Sequence, residues 1–156
     1  MTEKVPEVRA LAGNRRALHE YFVLDRLEAG IALTGTEVKA ARQGKIQLHD
    51  AFVDFRGGEA FLVGAHISHY SHGNRENHPP DRERKLLLSR REIDKLSGKA
   101  IAKGMSVVPL QVYLRGSRIK VEIALVQGKK QHDKREAIRI RELDREAQAA
   151  MRGGKR

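Results

Sequence analysis

Between Leu110 and Val126 the chain carries its longest run of regular alternation. Leu110, Val112 and Leu114 alternate with Gln111, Tyr113 and Arg115. Gly116-Ser117 then turns the chain, and Ile119, Val121, Ile123 and Leu125 alternate with Lys120, Glu122, Ala124 and Val126. Successive side chains of a strand point to opposite faces, so this pattern predicts two antiparallel strands joined by a tight turn. A second hairpin is signalled by Phe52, Phe55, Phe61, Leu62 and Ile67 around Arg56-Gly57-Gly58, and a first strand by the stretch His19 to Leu27. Two helices interrupt the strands. Thr34-Gly35-Thr36-Glu37 has capping-box spacing ahead of Val38 and Ala41, with Gly44 as the stop. Ser89-Arg90-Arg91-Glu92 repeats the device ahead of Ile93 and Leu96, with Gly104 as the stop. Several short strands with two short helices predict a mainly β fold, a small antiparallel barrel with flanking helices.

A chain of 156 residues suits one domain with an appendage. The appendage is legible in the charge. Residues 128–156 hold 10 basic and 5 acidic side chains, against 21 and 15 in residues 1–127, and contain no aromatic residue. The division expected is therefore a flexible segment 1–13, a barrel over 14–127 and a basic tail over 128–156. In the tail, Asp133 and Glu136 have N-cap spacing, and Ile138, Ile140, Leu143, Ala147, Ala150 and Met151 suit a weakly amphipathic helix. A lone helix of that length is marginal in water, so disorder until a partner orders it is the expectation. No apolar run has the length of a signal peptide or a spanning helix, and there is no cysteine. A soluble, cytoplasmic protein is expected.

The formal charge of +11 points to a polyanion, and nucleic acid is the commonest in a cytosol. The only aromatics are Tyr21, Tyr70, Tyr113, Phe22, Phe52, Phe55 and Phe61. A core would use most of them, leaving few for base stacking, so a folded RNA read by shape and phosphate geometry is the expected partner. The basic residues fall into groups: Arg15-Arg16 after Asn14, then Lys39, Arg42 and Lys45, then Arg82 to Lys85, and Lys120 on a late strand. Ser71 to Lys85 reads as a mobile, basic loop. Glu28 stands apart; its carboxylate would accept hydrogen bonds from base or ribose groups, or hold a neighbouring arginine. His66, His69, His72 and His78 invite a metal reading, but three-residue spacing puts neighbours on opposite strand faces and no carboxylate or cysteine completes the set. A ribonuclease would need a paired acid and base; His19, His49 and His132 are joined by no motif. A ribosomal protein or initiation-factor-like barrel is the other binding reading.

At these residues the chain resembles the small protein B family of tmRNA-binding proteins. The resemblance is carried by Asn14-Arg15-Arg16-Ala17 with His19-Glu20-Tyr21-Phe22, Glu28-Ala29-Gly30-Ile31, Gly35-Thr36-Glu37-Val38-Lys39, Arg42, and Gly44-Lys45. Arg84-Lys85-Leu86-Leu87-Leu88 and Gly128-Lys129-Lys130 with Asp133-Lys134-Arg135 complete it. Ala40, His69 and Pro79 depart from the pattern, on what reads as a helix surface and a loop. The resemblance implies an oligonucleotide-binding (OB-like) barrel and no enzymatic activity or cofactor. It implies binding to the tRNA-like domain of tmRNA through Glu28, Leu87 and Lys120, with Asn14, Arg16, Glu37, Lys39, Arg42 and Lys45 as neighbours. It further implies delivery to a stalled ribosome, with the tail helical in the empty mRNA channel. Lys129, Lys130, His132, Asp133, Lys134 and Arg135 would then lie near the decoding centre. Elongation factor Tu and alanyl-tRNA synthetase would be met only through the RNA.

Overall fold

The predicted hairpin is longer than its pattern: Met105–Arg115 and Arg118–Gly128 pair as an antiparallel ribbon around Gly116, whose φ is 61°. The computed structural model describes residues 8–71, 77–101, 104–129 and 145. In chain order its elements are β1 (Val8–Gly13), α1 (Arg15–Glu20), β2 (Tyr21–Ile31), α2 (Gly35–Arg42), β3 (Ile46–Gln47), β4 (Phe52–Arg56), β5 (Glu59–Val63), β6 (His66–Ile67), β7 (Arg84–Leu87), α3 (Arg90–Ile101), β8 (Met105–Arg115) and β9 (Arg118–Gly128). One seven-stranded sheet runs β1-β8-β9-β2-β7-β5-β4, and β3 pairs with β6 in a second, two-stranded sheet. All pairings are antiparallel. The sheet curls until β4 packs against β8, but no hydrogen-bonded ladder closes it. The mainly β, OB-like expectation holds, as a curled open sheet rather than a closed barrel.

Two clusters of buried side chains lie on opposite sides of the β8–β9 ribbon. The larger includes Val53, Leu62, Ile67, Leu86, Val107, Val112, Val121, Ile123 and Leu125, and is covered by Ala40 and Ala41 of α2 and by Ile93 and Leu96 of α3. The smaller joins Val108, Leu110, Ala124 and Val126 to Ala17 of α1. The register slips between Pro109 and Gln111, so Leu110 is the extra residue of a bulge. That is why Leu110 and Val112, which the alternation puts on one face, lie in different cores.

Both capping boxes form. In α2 the Thr34 hydroxyl accepts from Glu37 N–H at 3.4 Å while Glu37 Oε1 accepts from Thr34 N–H at 2.9 Å. At α3 the Ser89 hydroxyl accepts from Glu92 N–H at 3.2 Å and Glu92 accepts from Ser89 N–H at 2.9 Å. Gly44 and Gly104 follow with φ of 77° and 67°, the left-handed backbone expected of helix stops.

Several expectations are corrected. Residues 8–13 are not a flexible lead but the edge strand β1, paired with β8. The strand expected from His19 begins at Tyr21, because Asn14 caps a helix there and its side chain accepts from Ala17 N–H at 3.2 Å. Ile67 leaves the β4–β5 hairpin to pair with Ile46. Ala40 is fully buried rather than on a helix surface. At the other end β9 runs through Gly128, and Lys129 N–H donates to Glu20 C=O at 2.8 Å, so the packed body extends two residues past 127.

Candidate nucleic-acid interface

Gly30 of β2 is paired across one ladder with Leu87 and across the other with Lys120, which in turn is paired with Tyr113. Side chains directly opposite in antiparallel strands share a face, so Leu87, Lys120 and Tyr113 line one side of the sheet, with Glu28 two residues along β2. A Cβ at position 30 would stand 3.1 Å from that of Leu87, so glycine leaves Leu87 room against the sheet. Leu87 is 55% exposed, a large apolar side chain turned to solvent. The structure thus brings Glu28, Leu87 and Lys120 together.

Glu28 is held from its own side of the sheet. Tyr113 Oη donates to its Oε2, and Arg115 Nε and Nη2 approach the same oxygen at 3.1 and 3.0 Å. The Tyr113 hydrogen bond, with Arg115 and Lys120 beside it, outweighs partial burial and holds the carboxyl below its usual range. Burial, then the Glu28 bond, pushes the Tyr113 hydroxyl up to about 12. Both groups therefore keep fixed roles at neutral pH, carboxylate acceptor and phenol donor. Tyr113 and Arg115 were not among the expected site residues, although a two-residue turn at Gly116-Ser117 already puts 115 opposite 118 and 113 opposite 120.

Lys39, Arg42 and Lys45 are exposed along α2 and just past its end. Lys39 Nζ sits 5.6 Å from the centre of the Tyr70 ring, and Arg9 of β1 joins this group by donating to Arg42 C=O at 2.8 Å. Glu37, on the same helix, has no exposed surface. Its carboxylate takes Arg82 Nη2 at 2.5 Å on one oxygen and Arg84 Nε at 2.7 Å on the other. Burial alone would raise its pKa, but Arg82, the Thr34 N–H and Arg84 outweigh that and hold it at about 2.

The expectation that Glu37 touches RNA is therefore corrected, as is the one for Asn14. Asn14 is buried, and its amide donates to Pro109 C=O at 2.8 Å and Leu48 C=O at 3.4 Å. Glu37 has no surface to offer a ligand, and Asn14 keeps only 4% of its own, in the wall of a cavity beside α1. The same ion cluster changes the reading of the Ser71–Lys85 loop. Arg84 is fully buried and also donates to the Ala65 and Pro80 carbonyls, at 2.9 and 3.0 Å. His78 is buried too; its Nε2 donates to Ile67 and Ser68 carbonyls at 2.9 and 3.0 Å, leaving Nδ1 to accept from the Thr36 hydroxyl at 2.9 Å. Residues 77–85 are thus an anchored strap, and residues 72–76 lie outside the described residues.

Arg16 stands elsewhere. It pairs with Glu20 at 3.0 Å and Asp50 at 3.3 Å at the rim of a cavity of ≈ 590 Å³ between α1, β4, α3 and β8. Of the tail residues, Lys129 lies with Nζ 5.2 Å from the centre of the Phe22 ring. Lys130, His132, Asp133, Lys134 and Arg135 lie outside the described residues. Among the described residues no group of three or more His, Asp or Glu is placed to hold a metal ion, and no helix is long and apolar enough to cross a membrane.

Comparison with known proteins places this arrangement. The family model described as SmpB protein matches residues 11–153. The SsrA-binding protein of Shouchella clausii is 49% identical over 146 residues, covering 94% of each chain. That of Lactobacillus delbrueckii subsp. bulgaricus is 49% identical over 152 residues, covering 97% of this chain and 99% of the relative. A solved structure described as "tmRNA-SmpB: a journey to the center of the bacterial ribosome" superposes with a TM-score of 0.66 at 43% identity, over 81% of this chain and 93% of that one. Matched along nearly its whole length in sequence and over four-fifths of it in backbone, the chain belongs to the SmpB protein family.

Proposed function

We propose that this protein is a non-enzymatic RNA-binding adaptor of trans-translation. It binds the tRNA-like domain of tmRNA, the SsrA RNA, brings it to stalled ribosomes in the cytoplasm, and lays its C-terminal tail, from Lys129 onward, in the decoding centre and mRNA channel. The observation that carries this is the outward sheet face. A bare Leu87 on β7 and the cation Lys120 on β9 flank Gly30 of β2, with an anchored carboxylate at Glu28 two residues along that middle strand, in a chain that shares a family with SsrA-binding proteins. Apolar contact, phosphate neutralisation and hydrogen-bond acceptance are thus available within three neighbouring strands, as reading a folded RNA by shape and a few specific atoms requires. Lys39 and Arg42 on α2 and Lys45 just past its end supply further cations, and Glu37 caps that helix and ties it to Arg82 and Arg84 from behind, whereas Asn14 caps α1. Arg16 belongs to the α1 end of the molecule, near where the tail leaves. Elongation factor Tu and alanyl-tRNA synthetase meet the protein through the RNA, and no covalent step is asked of it.

The test compares the full chain with a truncation after Lys129, which leaves β9 and its last hydrogen bond intact. Equal affinity for the tRNA-like RNA, with tagging on stalled ribosomes only by the full chain, is the expected result. Loss of RNA affinity on truncation would put the tail in the tmRNA site. Association with ribosomes lacking tmRNA, and none with tmRNA itself, would favour a ribosomal protein instead.

A further inference from the structure

A carboxylate on a face that receives RNA needs a reason, because beside a phosphate it would only repel. Glu28 is not there merely to neutralise Arg115. All three donors that reach it, Tyr113 Oη and Arg115 Nε and Nη2, go to Oε2, and among the described residues none goes to Oε1. The side chain is 36% exposed, between Lys120 and Arg115, which can take phosphates. An ionised carboxylate has only acceptor capacity, so the partner of Oε1 must be a donor. In RNA the donors are base N–H groups and ribose 2′-hydroxyls.

We infer that Tyr113 and Arg115 are positioning residues that fix the Glu28 carboxylate through Oε2, so that Oε1 accepts a hydrogen bond from a base amino group or a ribose hydroxyl of the bound RNA. This rests on the proposed binding of a tRNA-like RNA and assigns the polarity of one contact within it. Tyr113 supplies rigidity: the residue is 6% exposed, and the Arg115 guanidinium lies 5.7 Å from the ring centre. The acceptor is thereby fixed before the RNA arrives, which lowers the ordering cost of the contact.

The experiment titrates tRNA-like-domain RNA into full-length wild type, Tyr113→Phe, Glu28→Gln and the double variant across a salt series. Tyr113→Phe keeps the buried ring and removes only the hydroxyl. Each single variant should weaken binding by roughly three- to tenfold, as for loss of one hydrogen bond to a charged group. The salt slope should not change, since no phosphate contact is lost. The double variant should be no weaker than Glu28→Gln alone. Two further sets of RNAs identify the donor: exocyclic amino groups removed one at a time, or single riboses replaced by 2′-deoxyribose. The substitution that weakens wild type but not Glu28→Gln marks the contacted group. A carbon-detected titration of free protein adds a readout that a mere packing role would not move, with the Glu28 carboxyl pKa rising toward its ordinary value in Tyr113→Phe. Additive losses, an unaltered Glu28→Gln, an unaltered Tyr113→Phe beside a weakened Glu28→Gln, or no nucleotide coupled to Glu28 would each overturn the inference. Failure of wild type to bind the RNA at all would count instead against the proposed function.

Discussion

Without the Glu37 carboxylate, the Arg84 guanidinium would lose the carboxylate it is bonded to, in a site that solvent does not reach. Removing one partner of such a pair leaves an uncompensated buried charge, so Glu37→Ala should lower the unfolding free energy by about 3–5 kcal/mol in a urea titration. Arg16→Ala, which breaks exposed pairs with Glu20 and Asp50, should change it by about 1 kcal/mol or less. The acid limb follows from the same carboxylate. Its folded pKa of about 2 is depressed from 4.5, so its contribution is complete above about 4.5 and is lost as pH falls toward 2. Stability against pH should therefore slope over that window in wild type and flatten there in Glu37→Gln. The sequence showed Glu37 as a cap residue through its spacing from Thr34, since capping is local. It could not show Arg82 and Arg84, which lie 45 and 47 residues away and meet Glu37 only after α2 packs on the strap. Glu37 was expected at the surface because a carboxylate among basic residues reads alike whether it faces RNA or sits beneath it.

Elements defined by their own residues were legible; elements defined by their partners were not. The Gly116-Ser117 hairpin, the Gly57-Gly58 turn and both capping boxes rest on short-range chemistry that a single stretch of chain displays. Strand β1 has no buried residue of its own and exists by pairing with β8, and six-residue α1 buries only Ala17. The bulge at Leu110 likewise answers to two cores that no alternation pattern reveals. Turn geometry supplies a test at this scale. Gly64, between β5 and β6, has a φ of 83°, and an added Cβ would stand 2.8 Å from the Asp50 carbonyl oxygen. Gly64→Ala should destabilise by about 1–3 kcal/mol, read as a lowered midpoint in thermal unfolding, because both the strain and the clash fall on backbone.

At the scale of the molecule, charge was the most legible property and its arrangement the least. The excess of lysine and arginine announced a polyanion, but Arg82 and Arg84 are engaged in the fold, whereas Lys120 and the α2 cations face outward. RNA affinity should thus fall linearly with the logarithm of salt concentration, and Lys120→Ala should reduce that slope by about one while weakening binding. An unchanged slope would mean that Lys120 meets no phosphate.

The chain beyond the packed body follows β9, which lies between β8 and β2 and is paired with β8 from Arg118 to Gln127 and with β2 from Lys120 to Gly128, with Lys129 still tied to Glu20. Tension applied to the tail along the strand axis would load these two ladders in shear, many bonds in parallel, rather than peel them one at a time. The anchorage is therefore mechanically strong against a pull along that axis. In a force experiment with handles at the two termini of residues 8–129, extraction of β9 should coincide with unfolding of the whole domain.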